Sequence, residues 1–169
     1  MHKPVAAVGS AVFLVLGPGI VVGLVPWLLT GWTMRDLPYW APVRALGVAI
    51  LVAGVIVLAH SFFRFVTEGS GTPVPVAAPD QLVVGGLYRY VRNPMYVALL
   101  WTLLGQTLLF GRLGLLVYTV VLWAGAATFV RLREEPVLVR RFGSAYDEYR
   151  KAVPAWWPRL RPWQPGADR

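Results

Sequence analysis

Four long apolar runs, separated by short polar or Gly/Pro-rich breaks, organise the chain. The first, Val5 to Leu29, exceeds the ~20 residues that cross ~30 Å of hydrocarbon at ~1.5 Å per helical residue. The "GPG" at Gly17 to Gly19 predicts a kink within it. It is longer than a secretory apolar core, lacks a small-residue cleavage signal and is followed by three more runs, so it reads as a span rather than a signal peptide. The second run, Val43 to Val66, also spans easily. Only Gly111 and Arg112 separate the third, Met95 to Phe110, from the fourth, Leu113 to Val130, which forces a tight antiparallel helical hairpin.

The polar segments differ in kind. "TEGSGTPVPVAAPDQ", beginning at Thr67, argues against a regular helix and predicts an extended, mobile connector. In "REEPVLVRRFGSAYDEYRKAV" a stripe of Val137, Leu138, Phe142, Tyr146 and Tyr149 opposes charged positions and is broken once, at Gly143. That pattern predicts two short amphipathic helices lying at the membrane surface. "PAWWPRLRPW" then sets Trp156, Trp157 and Trp163 among prolines and arginines, a composition suited to the headgroup layer.

Composition agrees with a membrane protein: 57% hydrophobic, 14% charged and a mean hydropathy of +0.58 over 169 residues. The expected fold is therefore all-α and polytopic, one domain over 1–169 with four transmembrane helices and a tail from 131 to 169. The net charge of +8 raises nucleic acid as a partner, but the basic residues lie between apolar runs and after the last. That placement reads as topology and contact with lipid headgroups, with no nucleic acid partner expected. With the N-terminus in the cytoplasm, thirteen of the sixteen Lys and Arg fall inside and Arg35, Arg44 and Arg112 outside. Both termini and the loop from Thr67 to Asn93 then face the cytoplasm of a bacterial-type inner (plasma) membrane. The absence of cysteine removes disulfides, thiolate metal sites and cysteine nucleophiles; with only two histidines, no metal site is expected.

Two segments combine polar chemistry with restrained backbone: "GGLYRYVRNPMY" at the mouth of the third run and "RLREE", Arg131 to Glu135, past the fourth. A hairpin brings their ends together, so Asn93 to Tyr96 are expected near Glu134 and Glu135. Pro94 suits a first helical turn and Asn93 an N-cap, leaving amides that favour an anion. Glu134 or Glu135 accepts charge-assisted bonds from a ligand's amine or hydroxyls on one reading, and pairs with nearby arginines on the other. Tyr88, Tyr90 and Tyr96 read equally as interfacial anchors, and Arg89 and Arg92 as snorkelling cations. His60 reads as a packing residue deep in the second span. Gln106, inside the third span, needs a partner and reads as glue between helices. No Walker loop, nucleophile elbow or dinucleotide fingerprint is present.

"GLYRYVRNPMY" followed about forty residues later by "EEPVLVRRFGSAYDEYRKAVPAWWP" resembles the isoprenylcysteine carboxyl methyltransferase family and its relatives, among them phospholipid methyltransferases; the resemblance runs from Asp80 to Pro158. It implies an integral membrane enzyme that encloses S-adenosyl-L-methionine between the ends of the last spans and the C-terminal amphipathic helices. By similarity, Tyr88 is the tyrosine of the family's G-x-Y, and Arg92, Asn93, Pro94, Met95 and Tyr96 stand on its R-H-P-x-Y box. Glu134, with Glu135 adjacent, matches its cofactor-contacting glutamate, and Asp80, Gln81, Leu82 and Val83 its pocket-lining segment. Arg131 and Arg133 are nearest to an acceptor-associated arginine. Asn93 replaces a histidine: if that position only hydrogen-bonds the cofactor, Asn serves as donor and acceptor, and if it must take up a proton, Asn cannot, which then favours a carboxylate acceptor over an amine. The resemblance thus implies methylation of a carboxylate on a lipophilic or lipidated, isoprenylcysteine-like acceptor, with phospholipid or other amine N-methylation and a non-catalytic scaffold as alternatives. It also turns the acidic pair towards its ligand-binding reading.

Overall fold

The computed structural model describes residues 16–38, 40–69 and 81–164, and among these the regular structure is helical, without strands. Helix α1 is Leu16–Thr30, α2 Ala41–Gly69, α3 Pro94–Phe110, α4 Leu113–Phe142 and α5 Ser144–Ala152. Two of these, α2 over Ala41–Phe65 and α4, are long and apolar enough to cross a membrane; α1 and α3 are shorter apolar helices. The connector expected from Thr67 begins later than read: Thr67–Gly69 remain in α2, and the rest of that reading, residues 70–80 with Asp80, lies outside the described residues.

The two-residue hairpin is present. Gly111, with φ +65°, caps α3 in the left-handed conformation and returns its N–H to Thr107 O at 2.9 Å. Its far end is tied to the α1–α2 loop: Arg35 N–H reaches Phe110 O at 2.9 Å and Trp40 Nε1 reaches Leu108 O at 2.8 Å. Helices α2 and α3 run antiparallel at backbone contact. A Cβ on Gly105 would sit 2.6 Å from Leu51 N, and one on Gly54 would sit 2.6 Å from Thr102 Oγ1. Small residues at such seams let apolar helices associate where no hydrophobic drive exists between them.

The "GPG" segment stays within α1, and the helix is perturbed just beyond it, as a π-turn at Ile20–Leu24. The cause is local. Val25 N–H bonds Ile20 O, and Pro26, having no N–H, gives nothing to the carbonyls one turn above it. Side chains from two other helices take its place: Gln106 Nε2 donates to Val22 O at 2.6 Å and Tyr118 Oη to Val21 O at 3.1 Å. Gln106 is the inter-helix bond expected of it, and its target is a carbonyl that proline leaves unpaired.

The tail differs from expectation. Helix α4 passes through a second π-turn, Val130–Glu134, and ends at Phe142; α5 follows Gly143. Tyr146 and Tyr149 are buried with Val153 and Trp163, and Leu138, Val139, Phe142, Leu82 and Val84 pack on them. Apart from the exposed Val137, the amphipathic stripe therefore faces the protein's own core, because Leu82, Val84 and the returning C-terminal strap supply an apolar partner on the spot. For the same reason Trp163 is buried and Trp156 half-buried, whereas Trp157 remains 81% exposed.

Candidate functional site

Residues 85–96 are held from three sides. The 3₁₀ turn Gly86–Arg89 projects Tyr88 inwards, and Tyr149 Oη donates to Tyr88 O at 2.6 Å. The strap of residues 153–164 bonds to this stretch through backbone: Arg92 N–H to Pro154 O, Arg159 N–H to Tyr90 O and Trp163 N–H to Arg89 O, each 2.9 Å. Arg89 Nε closes the same end on Trp163 O at 2.7 Å. Irregular chain is thus immobilised by paired backbone groups, as buried loops require.

The expected convergence occurs. Tyr96, in the first turn of α3, donates its hydroxyl to Glu134 Oε1 on α4 at 2.6 Å. Beside it, Arg92 Nη1 donates to Glu135 Oε1 at 2.7 Å and to Tyr146 Oη at 3.2 Å, with Arg150 3.7 Å from the other Glu135 oxygen. The adjacent glutamates therefore have different company: Glu135 is tied to two arginines and Glu134 to a phenol. Arg92 Nε is buried and has no hydrogen-bond partner among the described residues. The Trp156 ring lies 6.2 Å from Tyr96 and 6.4 Å from Trp123, walling one flank.

Burial raises the phenols of Tyr146 and Tyr149, only partly offset by the positive Arg92. Both stay neutral and able to donate, as the bond from Tyr149 to Tyr88 O requires.

Other expected residues stand as follows. Pro94 is the first residue of α3, as its fixed φ predicts, and Met95 is half-buried beside it. Asn93 occupies the N-cap position with φ −116° and ψ 57°, but its side chain does not cap the helix. Nδ2 instead donates to Ala155 O at 3.2 Å, since the strap passes within reach and offers an acceptor. Leu82 is half-buried against the Tyr146 and Tyr149 core, Val83 is buried, and Gln81 is exposed. Arg131 and Arg133 are exposed, Arg133 lining an open groove of about 590 Å³ with Val121, Gly125 and Leu132; neither bonds to Tyr96 or Glu134. His60 is not deep in the span. The seam pairs Gly54 with Ala98 and Thr102, which carries His60 to the level of Arg92, against the Gly86 turn. Sequence reasoning missed Tyr146, Arg150 and Trp156 as neighbours of the network. Only a basic residue one turn after a tyrosine hinted at the first two.

Comparison with known proteins gives the same direction. The chain is 41% identical over 78 residues to the protein-S-isoprenylcysteine O-methyltransferase of Schizosaccharomyces pombe, covering 46% of this chain and 33% of that protein. With the Saccharomyces cerevisiae protein of the same name it is 36% identical over 73 residues, 43% and 30% of the two chains. The delta(14)-sterol reductase of Mus musculus is 28% identical over 152 residues, 80% of this chain and 36% of that protein. The chain spans about a third of the length of these curated relatives. The phospholipid methyltransferase family model matches residues 43–145. That match takes in nearly all of α2, the turn carrying Tyr88, the hairpin and both glutamates, and by it the chain belongs to the phospholipid methyltransferase family.

Proposed function

We propose that this chain is a membrane methyltransferase that uses S-adenosyl-L-methionine to methylate a carboxylate on a lipophilic, isoprenylcysteine-like acceptor. The observation that carries the proposal is the 2.6 Å bond between Tyr96 and Glu134, set beside the Arg92–Glu135 pair at the mouths of two apolar helices. In this reading residues 1–169 form a single domain of four spans, about 5–29, 43–66, 95–110 and 113–130. Its termini and its tail, 131–169, lie in the cytoplasm of a bacterial-type plasma membrane.

The donors and acceptors suit the cofactor. Its amino-acid end carries a carboxylate and an ammonium; the buried, unpartnered Arg92 Nε suits the first and Glu134 the second. Gln81, Leu82, Val83, Tyr88, Asn93, Pro94, Met95 and Tyr96 line the remainder, with Glu135 holding Arg92 in place. When bound, S-adenosylmethionine supplies an electrophilic methyl group on a sulfonium.

The chain's own work is positioning. Tyr96 orients Glu134 through its hydroxyl. Tyr146, Glu135 and Arg150 fix the Arg92 guanidinium, and the Trp123 and Trp156 rings keep water from one flank. Holding two reactants in line contributes several kcal/mol without further chemistry. A carboxylate acceptor needs no general base, and Arg131 or Arg133 would orient it on arrival from lipid. This agrees with Asn93, whose amide engages Ala155 O and takes up no proton.

The family's description favours one second reading, an amine N-methyltransferase acting on phospholipid headgroups, in which Glu134 accepts the departing proton. Membrane extracts incubated with the protein and isotopically labelled methyl donor distinguish the two by mass spectrometry. Carboxylate methylation yields a base-labile labelled ester; amine methylation yields a base-stable labelled headgroup, and no labelled lipid or lipidated product overturns both.

A further inference from the structure

In α4 the π-turn Val130–Glu134 is closed by Glu135 N–H on Val130 O, five residues back instead of four, and Pro136 follows at once. The same arrangement recurs in α1. There the π-turn Ile20–Leu24 is closed by Val25 N–H on Ile20 O, and Pro26 comes next. A proline has no N–H to give to the carbonyl four residues earlier, and its ring crowds that carbonyl, which in α4 is Leu132 O. The turn ahead of it therefore opens by one residue.

That extra residue decides which face of α4 carries Glu134. An α-helix turns once in about 3.6 residues, so positions about eighteen apart lie one above another after about five turns. Run regularly from Leu113, α4 would set Glu134 above Leu116 and Glu135 above Val117, both exposed. A π-turn takes up one residue without advancing the face, so Glu134 lies instead above Leu115, which is fully buried. Thr119 and Val130, also buried, mark the same side. There Glu134 Oε1 receives the Tyr96 hydroxyl at 2.6 Å.

We propose that Pro136 is a positioning residue for Glu134: by holding the π-turn open it rotates the glutamate by about 100°, one residue's worth of helix, from the exposed side of α4 into contact with Tyr96. The inference rests on the reading of Glu134 as the group that receives the cofactor's ammonium, and it makes the proline the source of the orientation that this bond needs. Pro136 acts through the backbone alone. The two π-turns thus have different uses. In α1 the freed carbonyls are taken by Gln106 and Tyr118, whereas in α4 the rotation itself serves the site.

Nuclear magnetic resonance of protein labelled with carbon-13 at tyrosine Cζ reads the Tyr96 hydrogen bond without cofactor, the signal being identified by its loss in Tyr96→Phe. Pro136→Ala restores the missing N–H. It is expected to move the Tyr96 signal to the position it takes in Glu134→Ala and to weaken S-adenosylmethionine binding by about tenfold, without lowering the unfolding midpoint, since a proline has left a helix interior. Deleting Leu132 as well removes the residue that the turn accommodates, so a regular helix again sets Glu134 above Leu115; Leu132 is exposed, and its loss leaves no cavity. This shortened variant is expected to recover the wild-type signal, with affinity within about twofold of wild type. A proline needed only for packing or rigidity predicts no such recovery. If Pro136→Ala fails to fold, the shortened variant is still expected to fold with the wild-type signal, and its failure overturns the proposal. An unmoved Tyr96 signal in Pro136→Ala overturns it, as does a loss of affinity that shortening does not restore. A signal that moves and recovers as expected in protein that binds no S-adenosylmethionine upholds the role of Pro136 and removes the cofactor reading alone.

Discussion

Two polar clusters interrupt the apolar helices of this protein, one near each end of α3, and they are built on different logic. At one end Gln106 and Tyr118 donate to Val22 O and Val21 O, carbonyls that Pro26 and the π-turn leave without helical partners. Those side chains repair the backbone. At the other end α4 also carries a π-turn, Val130–Glu134, ahead of Pro136, yet Tyr96 meets Glu134 and Arg92 meets Glu135 side chain to side chain, and neither donates to a carbonyl of that turn. Desolvating two carboxylates and a guanidinium is costly, and breaking such a pair leaves the survivor buried and uncompensated. A polar residue in an apolar helix is thus explained structurally when it answers an orphaned backbone group. Where it only answers another side chain, a ligand is the better explanation.

Substitutions sharpen this contrast, most strongly at the site end. Arg92→Leu removes the main partner of Glu135 and is expected to cost about 3 kcal/mol of stability, read as a lower unfolding midpoint in detergent. Glu135→Leu in the same chain should recover much of that loss; without recovery, the pair is not what makes Arg92 necessary. Glu134→Gln is expected to leave the unfolding midpoint within a few degrees of wild type while weakening cofactor binding by about 30- to 100-fold, the loss of one charged hydrogen bond. At the opposite end, Gln106→Leu should cost about 1–2 kcal/mol by leaving Val22 O unpaired, with cofactor affinity unchanged. Adding Pro26→Ala restores a backbone N–H and should return part of that stability. An additive loss in the double variant would show that Gln106 is not repairing the helix. The smallest effect is assigned to Trp157→Ala: stability changes by less than about 0.5 kcal/mol, while extraction from membranes needs less detergent.

The helical frame was largely legible in the sequence because it rests on local rules. Two residues, Gly111 and Arg112, leave room only for a tight reversal, and a reversal between two apolar rods of equal length brings Tyr96 to Glu134. Pro94 marked the start of α3 through its fixed φ. The strap was not legible: the bonds of Arg92 to Pro154 O and Arg159 to Tyr90 O join irregular segments by backbone groups that every residue carries, so no side-chain pattern announces them. Its presence redirected three readings at once. Asn93 turned from capping to Ala155 O, Trp156 and Trp163 turned inwards, and the stripe of α5 found an apolar partner within the protein instead of at the membrane surface. The Pro26 repair was half legible, since a proline within an apolar run predicts an unpaired carbonyl one turn earlier, though not which helix supplies the donor.

The distinction between the two ends can be measured in one experiment. Isothermal titration of S-adenosylmethionine into wild type, Glu134→Gln and Gln106→Leu proteins compares a side chain assigned to the ligand with one assigned to the backbone. The account predicts saturable one-site binding to wild type and Gln106→Leu with indistinguishable affinity, and binding weakened by about 30-fold or more in Glu134→Gln. Equal affinity in wild type and Glu134→Gln, or no binding to folded wild type, would contradict it.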